Sequence, residues 1–262
     1  SEDAIWSNRF FAKNVGSPGH RGSRERIRLI NKQNSHDLFD GGEGQDILQG
    51  TDGDDVIFLE DTFSPLPNST TGPRVVDIER FDMGNGNDVV DLTSKKHSYA
   101  DVTLNGEAGN DVLWGSSGND ILSGGEGNDQ LTGGAGDDTY LFDRGDGQDV
   151  IRNYDPVKSS RDVLAFGDDI NEQQLWFERA GNDLEISIMG TEDNVMMKNW
   201  YRHERHQLDE ISVSNGHTLS NNQVDQLVQA MAVFNPSSSA ELELSGQIKE
   251  ELAPVITASW QA

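Results

Sequence analysis

Aspartate recurs every nine residues between Gly106 and Phe142, at Asp111, Asp120, Asp129 and Asp138. A glycine stands two places before each, at Gly109, Gly118, Gly127 and Gly136, and an apolar residue two places after, at Leu113, Leu122, Leu131 and Tyr140. Carboxylates and the open carbonyls of glycine-rich turns are hard oxygen donors, and no repeat contains histidine or cysteine. This donor set excludes zinc and points to calcium or magnesium. Many carbonyls without a compact octahedral cage favour calcium.

The elements that must position these oxygens follow from the two halves of each repeat. The first six residues are glycine-rich, which suits a tight turn. The last three are a minimal strand with one side chain pointing inward. Two turns and two strands make a coil, and stacked coils place parallel strands about 4.8 Å apart. Leu113, Leu122, Leu131 and Tyr140 would then fill a narrow interior. Each turn lies beside the turn two repeats on, so Asp111 approaches Asp129 and Asp120 approaches Asp138. Carboxylates about 5 Å apart repel by about 1 kcal/mol in water, and by several times more at a lower effective dielectric. The thin interior offers little against that repulsion and the backbone entropy of glycine. Closure therefore needs a divalent cation, and folding is linked to its binding. A single Gly-Asn-Asp cluster is an ordinary solvated turn; four copies in phase mark an array.

Composition agrees. Of 262 residues, 46 are Asp or Glu and 20 are Lys or Arg, a net charge of −26. Such a chain repels nucleic acid and anionic membrane surfaces, and attracts cations. With 34% hydrophobic against 25% charged residues, a conventional core is thin. Cysteine is absent, which removes disulfide staples and thiolate metal sites. No apolar run approaches the ~20 residues that span a bilayer. Neither membrane insertion nor a nucleic-acid partner is expected, and a monomer is. The first residues, SEDAIWSNRF, carry no signal-peptide pattern, and the chain reads as a piece of something longer.

The charge is unevenly spread. Residues 1–36 are basic: between Arg9 and Lys32 stand Arg9, Lys13, Arg21, Arg24, Arg26, Arg28 and Lys32, against a lone Glu25 in that interval. There RERIRLI alternates like a strand, which predicts a basic strand region packed on the acidic segment. Residues 37–155 hold 26 acidic residues against 6 basic ones. The period first appears at Gly41–Gln49 and Gly50–Phe58. It is interrupted by a proline-containing insert at 59–82, with a strand expected at Val75 to Ile78. It returns at Met83–Asp91, breaks through KKHSYADVTLN, runs from Gly106 to Leu141, and recurs slipped at Arg144–Ile151. Residues 156–235 are expected to be β-rich: DVLAF, LWFER, LEISIMG, VMMKNWY, EISVS and HTL read as strands, with hairpin turns at Ala180 to Asp183 and at Asn215-Gly216. A helix is predicted over 221–234, capped by Ser220 with Gln223, with Val224, Leu227, Val228 and Met231 on one face and Pro236 beyond its end. Residues 236–262 are expected to be a flexible tail.

Other constellations are weaker. His203-Glu204-Arg205-His206 is one residue short of the spacing that puts two imidazoles on one helix face, so a surface loop is expected there. No nucleophile elbow, P-loop or dinucleotide fingerprint occurs, so no enzyme activity is expected.

The repeats at GSSGNDILSGGEGNDQLTGGAGDDTYLF resemble the RTX (repeats-in-toxin) family of proteins exported by bacterial type I secretion. The segment from DVLAFGDDINEQQLWFERAGNDLEISIMG to SNNQVDQLVQAMAVF resembles the domain closing many large RTX proteins. The resemblance implies an all-β fold: a parallel β-roll of calcium-binding nonapeptide repeats with flanking strands and hairpins and one C-terminal helix. It also implies calcium held by carbonyls of the first four turn positions and by the sixth-position aspartate. Carried onto this sequence, these are Gly124, Gly125, Glu126, Gly127 and Asp129 in one turn, and Gly133, Gly134, Ala135, Gly136 and Asp138 in the next. Gly106, Ala108, Gly109 and Asp111 form another turn, and Gly115, Ser117, Gly118 and Asp120 a further one. Asp46, Asp55, Asp88 and Asp149 take the sixth position elsewhere. Gly106-Glu107-Ala108 departs from the pattern, and Gly115-Ser116-Ser117 does so mildly.

The same resemblance implies several calcium ions, the type I secretion apparatus as partner, a secretion signal in the 236–262 tail, and a location outside the cell or on its surface. The segments 1–36 and 59–82 resemble ligand-binding ends of RTX adhesins, for which a peptide or glycan on a target cell is the expected partner. The alternatives are a folding and secretion tail of an RTX toxin or hydrolase, and a module that cleaves itself at Asp155-Pro156 when calcium binds.

Overall fold

The computed structural model describes residues 26–28, 39–59, 73, 75–154, 160–234 and 246–261. Two sheets line one continuous core. The first has nine strands, in spatial order Arg26–Arg28, Ile47–Gln49, Arg80–Asp82, Thr103–Gly109, Ile121–Gly127, Thr139–Phe142, Val163–Phe166, Glu210–Ser212 and Thr218–Ser220. The second has eight, in the order Leu175–Ala180, Asp183–Ile188, Asn194–Met197, Gln148–Ile151, Gln130–Thr132, Val112–Trp114, Val89–Asp91 and Val56–Phe58. Through the repeats all pairings are parallel, and successive strands alternate between the sheets, as coiling requires. Phe39–Asp40 and Val75–Val76 form a separate parallel pair.

Because side chains alternate across a strand, the middle residue of each three-residue strand points inward. In one sheet Leu48, Phe81, Leu104, Leu122, Tyr140 and Leu164 lie in direct register. In the other, Ile57, Val90, Leu113, Leu131 and Ile151 do the same. All of them are buried. The interior is thus close to one apolar side chain per strand, as the repeat demands.

The irregular stretches join the stack more fully than their sequences suggest. Arg80–Asp82, at the end of the 59–82 insert, pairs with Ile47–Gln49 on one side and with the strand beginning at Thr103 on the other. Thr103, within the second break in the period, opens the strand that continues to Gly109. The basic strand expected near residue 27 is present as Arg26–Arg28, paired in parallel with Ile47–Gln49. The remainder of 1–36, most of the insert's loop, and Asp155-Pro156 lie outside the described residues.

Beyond residue 160 the stack acquires a thicker, more conventional core. The hairpins at Gly181 and Gly216 form as expected, each glycine with positive φ. The first helix spans Asn221–Met231, and Ala232 to Phe234 continue as a turn rather than as helix. Its Val224, Leu227 and Met231 are buried, and the Gln223 side chain accepts the Ser220 backbone N–H at 3.4 Å.

The tail expected to be unstructured contains a second helix, Gly246–Ser259, packed against the first. Leu252, Ile256 and Trp260 are buried at helical spacing. Pro254 sits inside the helix and obscured that pattern, since proline ordinarily ends one. The Trp260 ring meets Phe177 edge-on at 6.5 Å, and Gln261 pairs with Thr218 through two 2.8 Å backbone bonds. No helix among the described residues is long and apolar enough to cross a membrane.

A single-file core makes each inward residue costly to shorten. Leu122→Ala is expected to destabilise the calcium-loaded chain by about 3 kcal/mol, measured by denaturant unfolding at saturating calcium.

Candidate metal centre

The sixth-position aspartates Asp46, Asp55, Asp88, Asp111, Asp120, Asp129, Asp138 and Asp149 are all buried, the most exposed at 1%. Strand pairing stacks the turns, and the stacked carboxylates bind their neighbours' backbone. The Asp55 N–H donates to Asp88 Oδ1 at 2.7 Å, Asp88 N–H to Asp111 Oδ1 at 2.7 Å, Asp111 N–H to Asp129 Oδ1 at 2.7 Å, and Asp129 N–H to Asp149 Oδ1 at 2.9 Å. A second row runs from Asp120 N–H to Asp138 Oδ1 at 2.9 Å, and from Asp138 N–H to Asp162 Oδ1 at 3.1 Å. Glu79 serves the first coil, accepting the Asp46 N–H at 2.7 Å. The spatial neighbours deduced from the period, Asp111 with Asp129 and Asp120 with Asp138, are therefore adjacent.

One oxygen of Asp88, Asp111, Asp129, Asp138 and Asp149 is thereby engaged; the other decides the chemistry. Oδ2 of Asp88, Asp111, Asp129 and Asp149 is buried without a hydrogen-bond donor. A buried carboxylate oxygen left in this state is strongly unfavourable unless a cation meets it. Burial accordingly pushes these acids up, Asp88 and Asp149 to about 8, Asp129 to about 7 and Asp111 to about 6. Neighbouring carboxylates add to the rise for Asp88, Asp129 and Asp149.

Turn carbonyls converge on the same place. A Cβ on Gly124 would collide with Asp129 Oδ2, and one on Gly106 would strike both Asp111 Oδ2 and the Gly124 carbonyl oxygen. Carbonyl and carboxylate oxygens thus crowd together with no basic or imidazole group among them, which is the donor set of calcium. Among the described residues no three His, Cys, Asp or Glu side chains gather as a metal site, so backbone oxygens must complete any shell.

The turns are unequal. Where the second position is Thr51 or Ser116 rather than glycine, its backbone N–H donates to Oδ2 of the turn's own aspartate, Asp55 or Asp120, at 2.6 Å. Those two carboxylates are already partnered by protein. At Glu107 the second position keeps the left-handed conformation, φ 73°, that Gly125 adopts at 86°. A side chain there is strained by about 1 kcal/mol or more. The third-position side chains of Ser117 and Glu126 are exposed, leaving only their backbone oxygens to serve the turn. Gly109, Gly115, Gly118, Gly127, Gly133, Gly134 and Gly136 sit where a Cβ would strike the neighbouring coil's backbone or an aspartate of the stack. Ala108 and Ala135 donate their N–H groups to the Gly84 and Ser116 carbonyls of the preceding coil.

One set of residues was missed from the sequence. Fifth-position side chains form a ladder of opposite sense, each accepting from the following coil: Asp54 from Asn87, Asn87 from Asn110, Asn110 from Asn128 and Asn128 from Gln148, at 2.7 to 3.0 Å. Asp101, Asn119 and Asp137 do the same on the other row, each at 2.8 Å. The signal was the recurrent Asn or Asp immediately before Asp55, Asp88, Asp111, Asp120, Asp129 and Asp138. His203 and His206, in contrast, serve different backbone groups, Arg205 N–H and the Asn153 carbonyl oxygen.

Two measurements check this electrostatics. Asp129→Asn is expected to raise the calcium midpoint of folding roughly tenfold, each 1.4 kcal/mol of lost ligation being a factor of ten. Asp120→Asn, whose oxygens already have backbone donors, is expected to shift it less. In the cation-free roll, Asp88 is protonated up to about pH 8, whereas in the open chain it ionises near pH 4. The cation-free fold therefore loses stability as pH rises across that window. Calcium must displace the protons, so its affinity is expected to fall as pH drops from about 8 to about 6, with protons released on binding, read by calorimetry in buffers of different ionisation heat.

Comparison with known proteins agrees with this geometry. The model of the RTX calcium-binding nonapeptide repeat matches residues 34–61, 101–131 and 114–151, and that of the haemolysin-type calcium binding protein related domain matches 183–223. The iron-regulated protein FrpA of Neisseria meningitidis serogroup C is 36% identical over 94 residues, a match covering 35% of this chain and 8% of that protein. The chain thus spans a small fraction of the length of this relative. Buried aspartate rows, glycine turns crowded with carbonyls, and these matches lead to one conclusion: the chain carries an RTX calcium-binding region, a β-roll whose nonapeptide repeats bind Ca2+ ions.

Proposed function

We propose that this region is a calcium-triggered folding module of a secreted bacterial protein, without catalytic activity of its own. The observation that carries the reading is the row of buried, donor-less Oδ2 atoms on Asp88, Asp111, Asp129 and Asp149. Those carboxylates, with the carbonyls of turns such as Gly124 to Gly127 and Gly106 to Gly109, would hold the ions. At low calcium the repulsion among them keeps the repeats open, a state suited to passage through a type I export channel. At calcium near millimolar, where weak hard-oxygen sites fill, the roll closes. Proteins bearing such repeats are typically secreted, which supports a location outside the cell.

An adhesive role is the second part of the proposal. The Asp55–Asp88 rung stays paired although 33 residues separate its members. The intervening chain adds length without disturbing the stack, and loops carried by a rigid scaffold are where recognition usually resides. A peptide or glycan on a target cell is the proposed ligand of this segment and of 1–36. Circular dichroism is expected to show β structure in millimolar calcium and its loss in chelator; equal β content in both would sink the folding reading. Glycan and peptide arrays probed in calcium are expected to give binding that chelator abolishes. An absence of signal in calcium would leave the module as a folding tail and remove the adhesive role.

A further inference from the structure

The second row of aspartates ends in a way the first does not. Asp162 occupies a rung like the others: Asp138 N–H donates to its Oδ1, and its own N–H donates to Asp209 Oδ2 at 3.0 Å. Yet the five residues before it are Val157-Lys158-Ser159-Ser160-Arg161, with no glycine to open carbonyls and two basic residues. Its Oδ2, the atom left without a donor on Asp88, Asp111, Asp129 and Asp149, accepts Nδ2 of Asn153 at 2.7 Å.

Asn153 is 2% exposed and held by both ends. Nδ2 also reaches the Gln207 carbonyl at 3.3 Å, and Oδ1 accepts the Tyr140 hydroxyl at 3.3 Å. That hydroxyl in turn accepts the Gly133 N–H at 2.8 Å, the first residue of the Asp138 turn. The orientation of the amide is dictated by its partners. Asp162 Oδ2 and Gln207 O can only accept, so the nitrogen must face them. A buried side-chain relay, Gly133 to Tyr140 to Asn153 to Asp162, therefore closes the row.

We propose that Asn153, oriented by Tyr140, replaces a cation at this last rung, so that Asp162 is satisfied without metal and the calcium stack stops short of it. A fixed N–H donor supplies the positive charge density that a carboxylate oxygen needs in a buried site, and it does so whether or not calcium is present. Asn153 thus takes the place an ion would hold at Asp162 and fixes the join between the roll and the C-terminal core. The inference rests on the calcium reading of the repeats.

The test counts ions in the full chain. Wild type, Asn153→Asp and Asn153→Leu are saturated with calcium, desalted and analysed for bound metal, with calorimetric stoichiometry alongside. Asn153→Asp places a second carboxylate against Asp162 and is expected to hold one more calcium than wild type; Asn153→Leu is expected to hold the wild-type number. An unchanged count in Asn153→Asp, or a count lower by one in Asn153→Leu, overturns the proposal. Should a variant fail to fold, a crystal structure of the wild type grown in calcium decides. Absence of an ion at Asp162 Oδ2 while Asp111 and Asp129 are occupied supports the assignment, and an ion at Asp162 overturns it. A wild type with no bound calcium at all removes the calcium reading itself, a result distinct from a wrong assignment at Asp162.

Discussion

Burial of a carboxylate with only half of its hydrogen-bonding capacity met is the constraint from which the rest of this structure follows. Along the Asp55 to Asp149 row, one oxygen of each of Asp88, Asp111, Asp129 and Asp149 is consumed by the neighbouring coil's backbone, which fixes the side chain and draws the turns together. The other oxygen of Asp88, Asp111, Asp129 and Asp149 has no protein donor. A proton or a cation must satisfy it, and the crowd of turn carbonyls around it suits a divalent cation. The same geometry that assembles the stack therefore makes it conditional.

Ion-dependent and ion-independent contacts divide the labour. The fifth-position ladder and the strand pairing bind coils to one another with no metal, while the sixth-position row adds the conditional closure. Turns with Thr51 or Ser116 at the second position direct that residue's backbone N–H onto their own aspartate, and so stand between the two classes. Where the single-file interior gives way to the core around Trp176, Phe177, Trp200 and Trp260, ordinary apolar burial takes over. The two C-terminal helices pack on one another over this end. Such a core does not need calcium to offset charge repulsion, because few carboxylates are buried within it.

Insertion is tolerated because the stack is held locally, rung by rung. Neighbouring rungs are separated by 33, 23, 18 and 20 residues along the Asp55 to Asp149 row, yet their hydrogen bonds are between 2.7 and 2.9 Å. The strands on either side of these longer separations pair in register all the same. This is the behaviour of a repeat fold whose units contact only their neighbours.

The sequence alone determined the repeat unit, its inward residues, the pairing of Asp111 with Asp129 and of Asp120 with Asp138, and calcium as the ion. Each rests on a strict period, and a period converts directly into spatial neighbours. The hairpins and the first C-terminal helix were legible for the same local reason, through turn residues and capping. Where the period failed, so did legibility. Arg80–Asp82 and the start of the Thr103–Gly109 strand fill regular places in the sheet although nothing in their spacing announces it, because cross-strand partners rather than sequence neighbours define those places. The helix at Gly246–Ser259 was hidden by Pro254, and burial of Leu252, Ile256 and Trp260 against the first helix and its sheet outweighs that local cost. Which carboxylates remain bare was likewise a tertiary decision. It depends on whether a donor such as the Ser116 N–H or the Asn153 amide, four and nine residues from the aspartate it serves, is turned onto the second oxygen, and the period alone does not announce that backbone and side-chain geometry.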